Sequence, residues 1–303
     1  MSNETTASWQ AGDVEANGIR LHYTRTGGTK PPLVLAHGVT DDGLCWTPVA
    51  RALEAEYDVV MVDARGHGQS EAPEQGYDPA TQAADLHGVI TALGLQKPLV
   101  LGHSMGAATT LVLAGLHPDV PRAILLEDPP GWWVAPPPWA QADEEHQPNG
   151  REGAAIYGRN PEKEQPTGIH AWLLSLKRKT REELIAEQRA ATPNWSEAEL
   201  EPWADSKVRV SPNVGSMFTS NPAASVDWPT TLGRITCPAL LITADLARGA
   251  VLNEKEAAAL QRLVPQLQIE HVSEAGHNIR RDQFDRYMEV VRAFLAEHTP
   301  ASQ

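Results

Sequence analysis

The sequence predicts an α/β fold: a mostly parallel, doubly wound sheet with an inserted helical cap. Three observations predict it. Short continuous apolar runs recur at Leu33–Ala36, Val59–Val62, Leu99–Leu101, Ala123–Leu126 and Ala239–Ile242, as expected of strands buried on both faces. Segments of helical period separate them, the spacing of strand–helix–strand crossovers. The rhythm then breaks between residues 129 and 235, which hold seven of the nine tryptophans and no strand pattern.

The elements follow in order. Val14–Tyr23 alternates about Asn17-Gly18, the signature of a hairpin with a tight turn. Leu33–Ala36 ends in His37-Gly38-Val39-Thr40-Asp41-Asp42-Gly43, with a helix expected to about Glu56. The strand at Val59–Asp63 opens into a glycine-rich loop, Ala64-Arg65-Gly66-His67-Gly68-Gln69-Ser70. Pro79 begins a helix to about Leu93, at a position where its missing N–H costs nothing. After the strands at Leu99 and Ala123, the insertion opens with residues rich in proline and acids. Gly168–Lys179, Thr180–Ala191 and Ser196–Asp205 then read as short amphipathic helices, the last two with capping boxes Thr180…Glu183 and Ser196…Glu199. A strand at Ala239–Thr243, a helix at Asn253–Val264, a strand at Gln268–Val272 and a closing helix at Arg281–His298 restore the rhythm. This divides the chain into a core of residues 1–128 and 236–303 and a Trp-rich cap of residues 129–235.

Composition narrows the function. The chain has 303 residues, 41% hydrophobic and 21% charged, with ample material for a core. A formal charge of −14 argues against nucleic acid and anionic membranes as partners. Two cysteines, Cys45 and Cys237, give neither a disulfide framework nor metal-ligand spacing and suit a reducing cytoplasm. Met1–Glu4 lacks the basic and apolar regions of a secretory signal, and no apolar run reaches membrane-spanning length. A cytoplasmic location and a small-molecule substrate are expected. A homodimer is left open.

The chemistry concentrates at Gly102-His103-Ser104-Met105-Gly106, where an apolar strand meets a small-residue helix pattern. Gly-X-Ser-X-Gly in that context is a strand-to-helix turn that lifts the serine hydroxyl above the sheet. It also aims backbone N–H groups at a helix N-terminus toward developing negative charge. A serine hydroxyl is hardly ionised at neutral pH, so it needs a base within reach.

Four blocks in this order resemble the α/β-hydrolase superfamily, in particular its capped esterase, lactonase and C–C hydrolase members. They are His37-Gly38 after a strand, Asp63-Ala-Arg-Gly-His-Gly-Gln-Ser70, Gly102-His-Ser-Met-Gly106, and Gly276-His277. The resemblance spans nearly all of residues 14–298. It implies an oxyanion hole from the N–H groups of Val39 and Met105, His277 as general base, and the insertion as a lid. The chain order of such a triad is Ser, then Asp or Glu, then His. Of 11 histidines, only His271, His277 and His298 lie beyond the last core strands. His271 falls in a strand pattern and His298 in the terminal helix, which leaves His277. His103 reads as packed beside the serine, His37 as a brace behind the oxyanion loop, and His67 as structural.

The acid departs from the family pattern. Relatives carry Gly-X-X-Asp after the strand equivalent to Leu240–Thr243; this chain has Ala244-Asp245-Leu246-Ala247. Asp245 is slightly preferred, with Asp128 at the end of the preceding core strand close behind. Either carboxylate could instead bind neighbouring backbone N–H groups. Trp132, Trp133 and Trp139 follow the sheet's carboxyl edge and are candidates for the substrate pocket, or for gluing the cap to the sheet. The basic run Lys177–Arg181 reads as a solvated helix face. Ser104 at the elbow excludes the aspartate-nucleophile dehalogenases and epoxide hydrolases. The expected activity is cofactor-free, metal-free hydrolysis of a small carboxylic ester or lactone through an acyl-enzyme. Alternatives are C–C bond hydrolysis or perhydrolysis on the same triad, or a non-catalytic ligand receptor.

Overall fold

The structure, a computed structural model, describes residues 9–135, 168–218 and 221–299. Its eight strands are β1 (Gln10–Ala16), β2 (Ile19–Arg25), β3 (Pro32–Ala36), β4 (Asp58–Val62), β5 (Leu99–His103), β6 (Ala123–Glu127), β7 (Ala239–Ala244) and β8 (Leu267–Val272). They form one sheet in the order β1-β2-β4-β3-β5-β6-β7-β8. β1 and β2 pair antiparallel around Asn17 and Gly18, both at positive φ as the tight turn requires. β2 pairs antiparallel with β4, and from β4 to β8 every pairing is parallel.

The apolar runs are continuous because both faces of the central strands are covered. Val34 belongs to a buried cluster that takes in residues of α2 (Pro79–Ala92), α3 (Met105–Leu116) and α8 (Glu254–Leu263). Leu33 and Leu35 pack on the opposite face with α1 (Thr47–Leu53) and α10 (Phe284–His298). Each such side chain contributes roughly 1.5–3 kcal/mol on burial. β8 closes one edge, and only its two end residues are buried.

Between β6 and β7 the described residues form no strand. They form α4 (Gly168–Leu176), α5 (Arg181–Ala191), α6 (Glu197–Arg209) and α7 (Trp228–Leu232), with 3-10 turns at Pro212–Phe218 and Pro222–Ser225. α5 carries the Thr180–Glu183 capping box. The box expected at Ser196 does not form, because the Glu199 carboxylate instead accepts a hydrogen bond from Arg281 Nε at 3.1 Å. The expected closing helix is broken at Gln283 (φ −138°, ψ 59°), which separates α9 (Ile279–Asp282) from α10. Its polar residues are committed inward: Arg280 and Arg281 to buried ion pairs, Asp282 to the Gly276 N–H.

Candidate active site

β5 delivers Ser104 at the carboxyl edge of the sheet, and α3 starts on the next residue. Ser104 has φ 52°, a strained conformation for a non-glycine residue, held by its N–H donating to the Glu127 carbonyl at 2.9 Å. The flanking glycines are needed for close approach. A Cβ on Gly102 would lie 2.3 Å from the Gly106 carbonyl oxygen, and one on Gly106 would lie 2.1 Å from the Ala36 carbonyl oxygen.

The Ser104 Oγ lies 3.0 Å from His277 Nε2. On the other side of the ring, His277 Nδ1 lies 2.6 Å from Asp128 Oδ2. A carboxylate accepts, so the proton sits on Nδ1 and Nε2 is free to accept the serine proton. Asp128 is fully buried at positive φ (41°), and its oxygens also accept the N–H groups of Val251 (2.9 Å) and Leu252 (3.0 Å). Asp245, the slightly preferred acid, does not reach His277. It accepts from the Glu274 N–H at 2.7 Å and lies 3.0 Å from His271 Nε2, at the surface. The backbone N–H to Glu274, with His271 second, holds its carboxyl below the usual carboxylate range. The longer loop after β7 turns outward, whereas the end of β6 points straight at His277.

Val39 and Met105 line the same cavity as Ser104, and neither N–H donates a hydrogen bond among the described residues. The surrounding histidines have tautomers fixed by their partners. His37 Nε2 accepts from the Ala64 N–H (3.0 Å), so its Nδ1–H donates to the Gly38 carbonyl (2.8 Å). His67 Nε2 accepts from the Thr40 N–H (3.2 Å), and its Nδ1–H donates to the Arg65 carbonyl (2.8 Å). His103 Nε2–H donates to the His277 carbonyl at 2.9 Å, which steadies His277 through its backbone. Burial, then Arg280, holds His103 far below the usual imidazole value, so it stays neutral.

The cavity, open to solvent on one side, has a volume of about 310 Å³. Trp132 lines it, as do Trp172, Trp195 and Trp203, which were not singled out from sequence. Trp133 does not: it is buried against the core, its Nε1–H donating to the Glu256 carbonyl at 2.8 Å. Trp139 lies outside the described residues. The basic run stays off the cavity wall, where Lys177 caps the end of α6 through the Lys207 and Val208 carbonyls.

Sequence reading missed the charged wall beside the serine. Asp41, Lys207 and Arg281 line the cavity and belong to one buried network. Asp41 Oδ1 accepts from Lys207 (2.7 Å), and its Oδ2 from Arg280 and Arg281 (both 3.0 Å). Glu127 pairs with Arg280, and Glu199 with Arg281. Burial raises the Asp41 carboxyl, but Arg281, Lys207 and Arg280 together outweigh it and hold it well below the usual value. The only local signal was the Arg280-Arg281 pair soon after His277. Among the described residues no cluster of His, Cys, Asp and Glu is arranged to hold a metal, and no helix is long and apolar enough to cross a membrane.

These features place the chain in a family. The model of the alpha/beta hydrolase fold matches residues 31–280, and the protein belongs to that family of hydrolases. It is 30% identical over 286 residues to N-formylmaleamate deformylase of Pseudomonas putida, covering 94% of this chain and 96% of the relative. The solved N-formylmaleamic acid deformylase of Pseudomonas putida S16 superposes with a TM-score of 0.70 at 26% identity, over 93% of this chain and all of that one. An esterase from Exiguobacterium antarcticum shares the fold, with a TM-score of 0.66 at 19% identity, over 95% of this chain and all of the other.

Proposed function

We propose that the protein is a cofactor-free serine hydrolase that cleaves a small acyl compound through an acyl-enzyme on Ser104. The observation that carries this reading is the hydrogen-bonded relay from Ser104 through His277 to buried Asp128, opening on a cavity. Ser104 Oγ attacks the carbonyl carbon as His277 Nε2 takes its proton. The N–H groups of Val39 and Met105 hold the oxyanion, and Asp128 stabilises the imidazolium. His277 then gives the proton to the leaving group; water, losing a proton to His277 Nε2, attacks the acyl carbon, and the acyl–Oγ bond breaks as Ser104 Oγ takes that proton. The described helices between β6 and β7 act as the cap that shields this chemistry from solvent.

The bond cleaved is a carboxylic ester or lactone on the reading from sequence. An N-acyl amide is the second reading, favoured by the deformylase that matches nearly the whole chain. Both need the same acyl-enzyme and differ only in whether oxygen or nitrogen leaves. The test is turnover of short-chain p-nitrophenyl esters, lactones and N-formyl amides by wild type and Ser104→Ala. Loss of all turnover in a folded Ser104→Ala protein is expected, and full activity in that variant would overturn the mechanism. Diketone and peroxide assays address the C–C hydrolase and perhydrolase alternatives, and stoichiometric binding without fluorophosphonate labelling would mark a receptor.

A further inference from the structure

Lys207 is a cation with 1% exposure, carried by α6 between β6 and β7, on the wall of the cavity. Its ammonium commits all three donors: to the Thr40 carbonyl (3.1 Å), Asp41 Oδ1 (2.7 Å) and Ser206 Oγ (3.1 Å). Two of those acceptors belong to the loop that follows β3 and carries Val39.

That loop is a turn, closed by the Asp41 N–H donating to the Gly38 carbonyl at 3.1 Å. Gly38 C=O and Val39 N–H belong to one planar peptide, so whatever aims the carbonyl also aims the N–H in the opposite direction. The third residue of the turn, Thr40, has φ 67°, a place that glycine usually fills and a β-branched residue enters at a cost. Thr40 therefore needs outside support, and both of its backbone polar groups have it. The N–H is held by His67 from the core side, and the C=O by Lys207 from α6.

Resting on the acyl-transfer reading, we propose that Lys207 is a positioning residue for the reaction. From the cap it locks the Gly38–Asp41 turn, so that the Val39 N–H faces the oxyanion that forms at Ser104. Cap docking is then part of transition-state stabilisation as well as of substrate enclosure. A side chain that only enclosed or contacted substrate would act on KM. One that aims an oxyanion donor acts on kcat, because the donor matters most once negative charge has developed.

The experiment compares Lys207→Met and Lys207→Arg with wild type on an uncharged short-chain p-nitrophenyl ester. It also measures inhibition by phenylboronic acid, whose tetrahedral adduct on the serine mimics the oxyanion. Losing one oxyanion donor outright costs about 10²–10³-fold in kcat. A misaimed donor in Lys207→Met is therefore expected to lower kcat about 10- to 100-fold, with KM changed less than about threefold. Boronate affinity should fall in proportion to kcat, and Lys207→Arg, which keeps the cation, should recover part of both. Unchanged kcat overturns the proposal. So does a loss confined to KM, or one seen only with carboxylate-bearing substrates, which would mark direct substrate contact. If Lys207→Met fails to fold, the neutral but polar Lys207→Gln takes its place: the same fall in kcat and boronate affinity is expected of it, and wild-type kcat there overturns the proposal. An active Ser104→Ala enzyme would remove the acyl-transfer reading itself. An inert one, alongside Lys207 variants of wild-type kcat, removes only the positioning role.

Discussion

Asp128 illustrates how a single carboxylate becomes part of a relay. Its oxygens receive two backbone N–H groups and the His277 ring, all within buried surroundings. The ring is thereby fixed in the tautomer with Nε2 facing Ser104. Asp128→Asn can present an N–H to Nδ1 and so favours the wrong tautomer; on the proposed mechanism kcat should fall about 10³–10⁴-fold. Asp245→Asn should leave kcat within about twofold of wild type, since its partners are His271 and the Glu274 N–H at the surface. Steady-state kinetics on the two variants check both, and the reverse ranking would restore Asp245 as the acid. The serine and histidine were legible in sequence because turn chemistry and chain order constrain them. Both acids sit at ends of parallel strands and look alike locally, so sequence could not tell which lies within reach of His277; Asp128 does and Asp245 does not.

At the scale of elements, the junction of β5 and α3 depends on backbone contact that only glycine allows. Gly106 lies where α3 passes the end of β3, and an added methyl group would overlap the Ala36 carbonyl. Gly106→Ala is expected to destabilise the protein by about 3 kcal/mol or more, because backbone on both sides must shift. Denaturant unfolding of the variant measures this, and a loss below about 1 kcal/mol would show that the junction has room to relax. The Gly-X-Ser-X-Gly signature was readable because this constraint is local. The break at Gln283 and the unused capping box at Ser196 were not. In both places Arg281 is drawn to partners far away in sequence, and tertiary ion pairs outweigh local helix preference.

At the scale of the whole molecule, the buried network joins the loop after β3, the end of β6, α6 and α9 through three carboxylates and three cations. Charges balanced in this way are weak evidence for stability, but removing one member strands its partner at a cost of several kcal/mol. Buried histidines add a pH dependence. Burial, and then His37, pushes His67 down to about 3 from 6.5. Its folded pKa is depressed, so the unfolded chain binds the proton more tightly. The stability that neutral His67 contributes is complete above about pH 6.5 and is lost as pH falls toward 3. The stability advantage of wild type over His67→Gln should therefore shrink between pH 7 and pH 4. Urea unfolding at several pH values checks this, and a constant difference would show that His67 is not held neutral by the fold.

The sequence by itself determined the class of fold, the serine at its strand-to-helix turn, the histidine by its order in the chain, and the helical character of the described residues between β6 and β7. Each of these is written in local periodicity, turn chemistry or position along the chain. Tertiary structure alone decided which carboxylate meets His277, that Trp133 turns into the core while Trp172, Trp195 and Trp203 face the cavity, and that Lys207 reaches the loop carrying Val39. Those outcomes rest on contacts between residues separated by more than a hundred positions, or on which face of an element meets the core. Neither leaves a pattern in neighbouring residues.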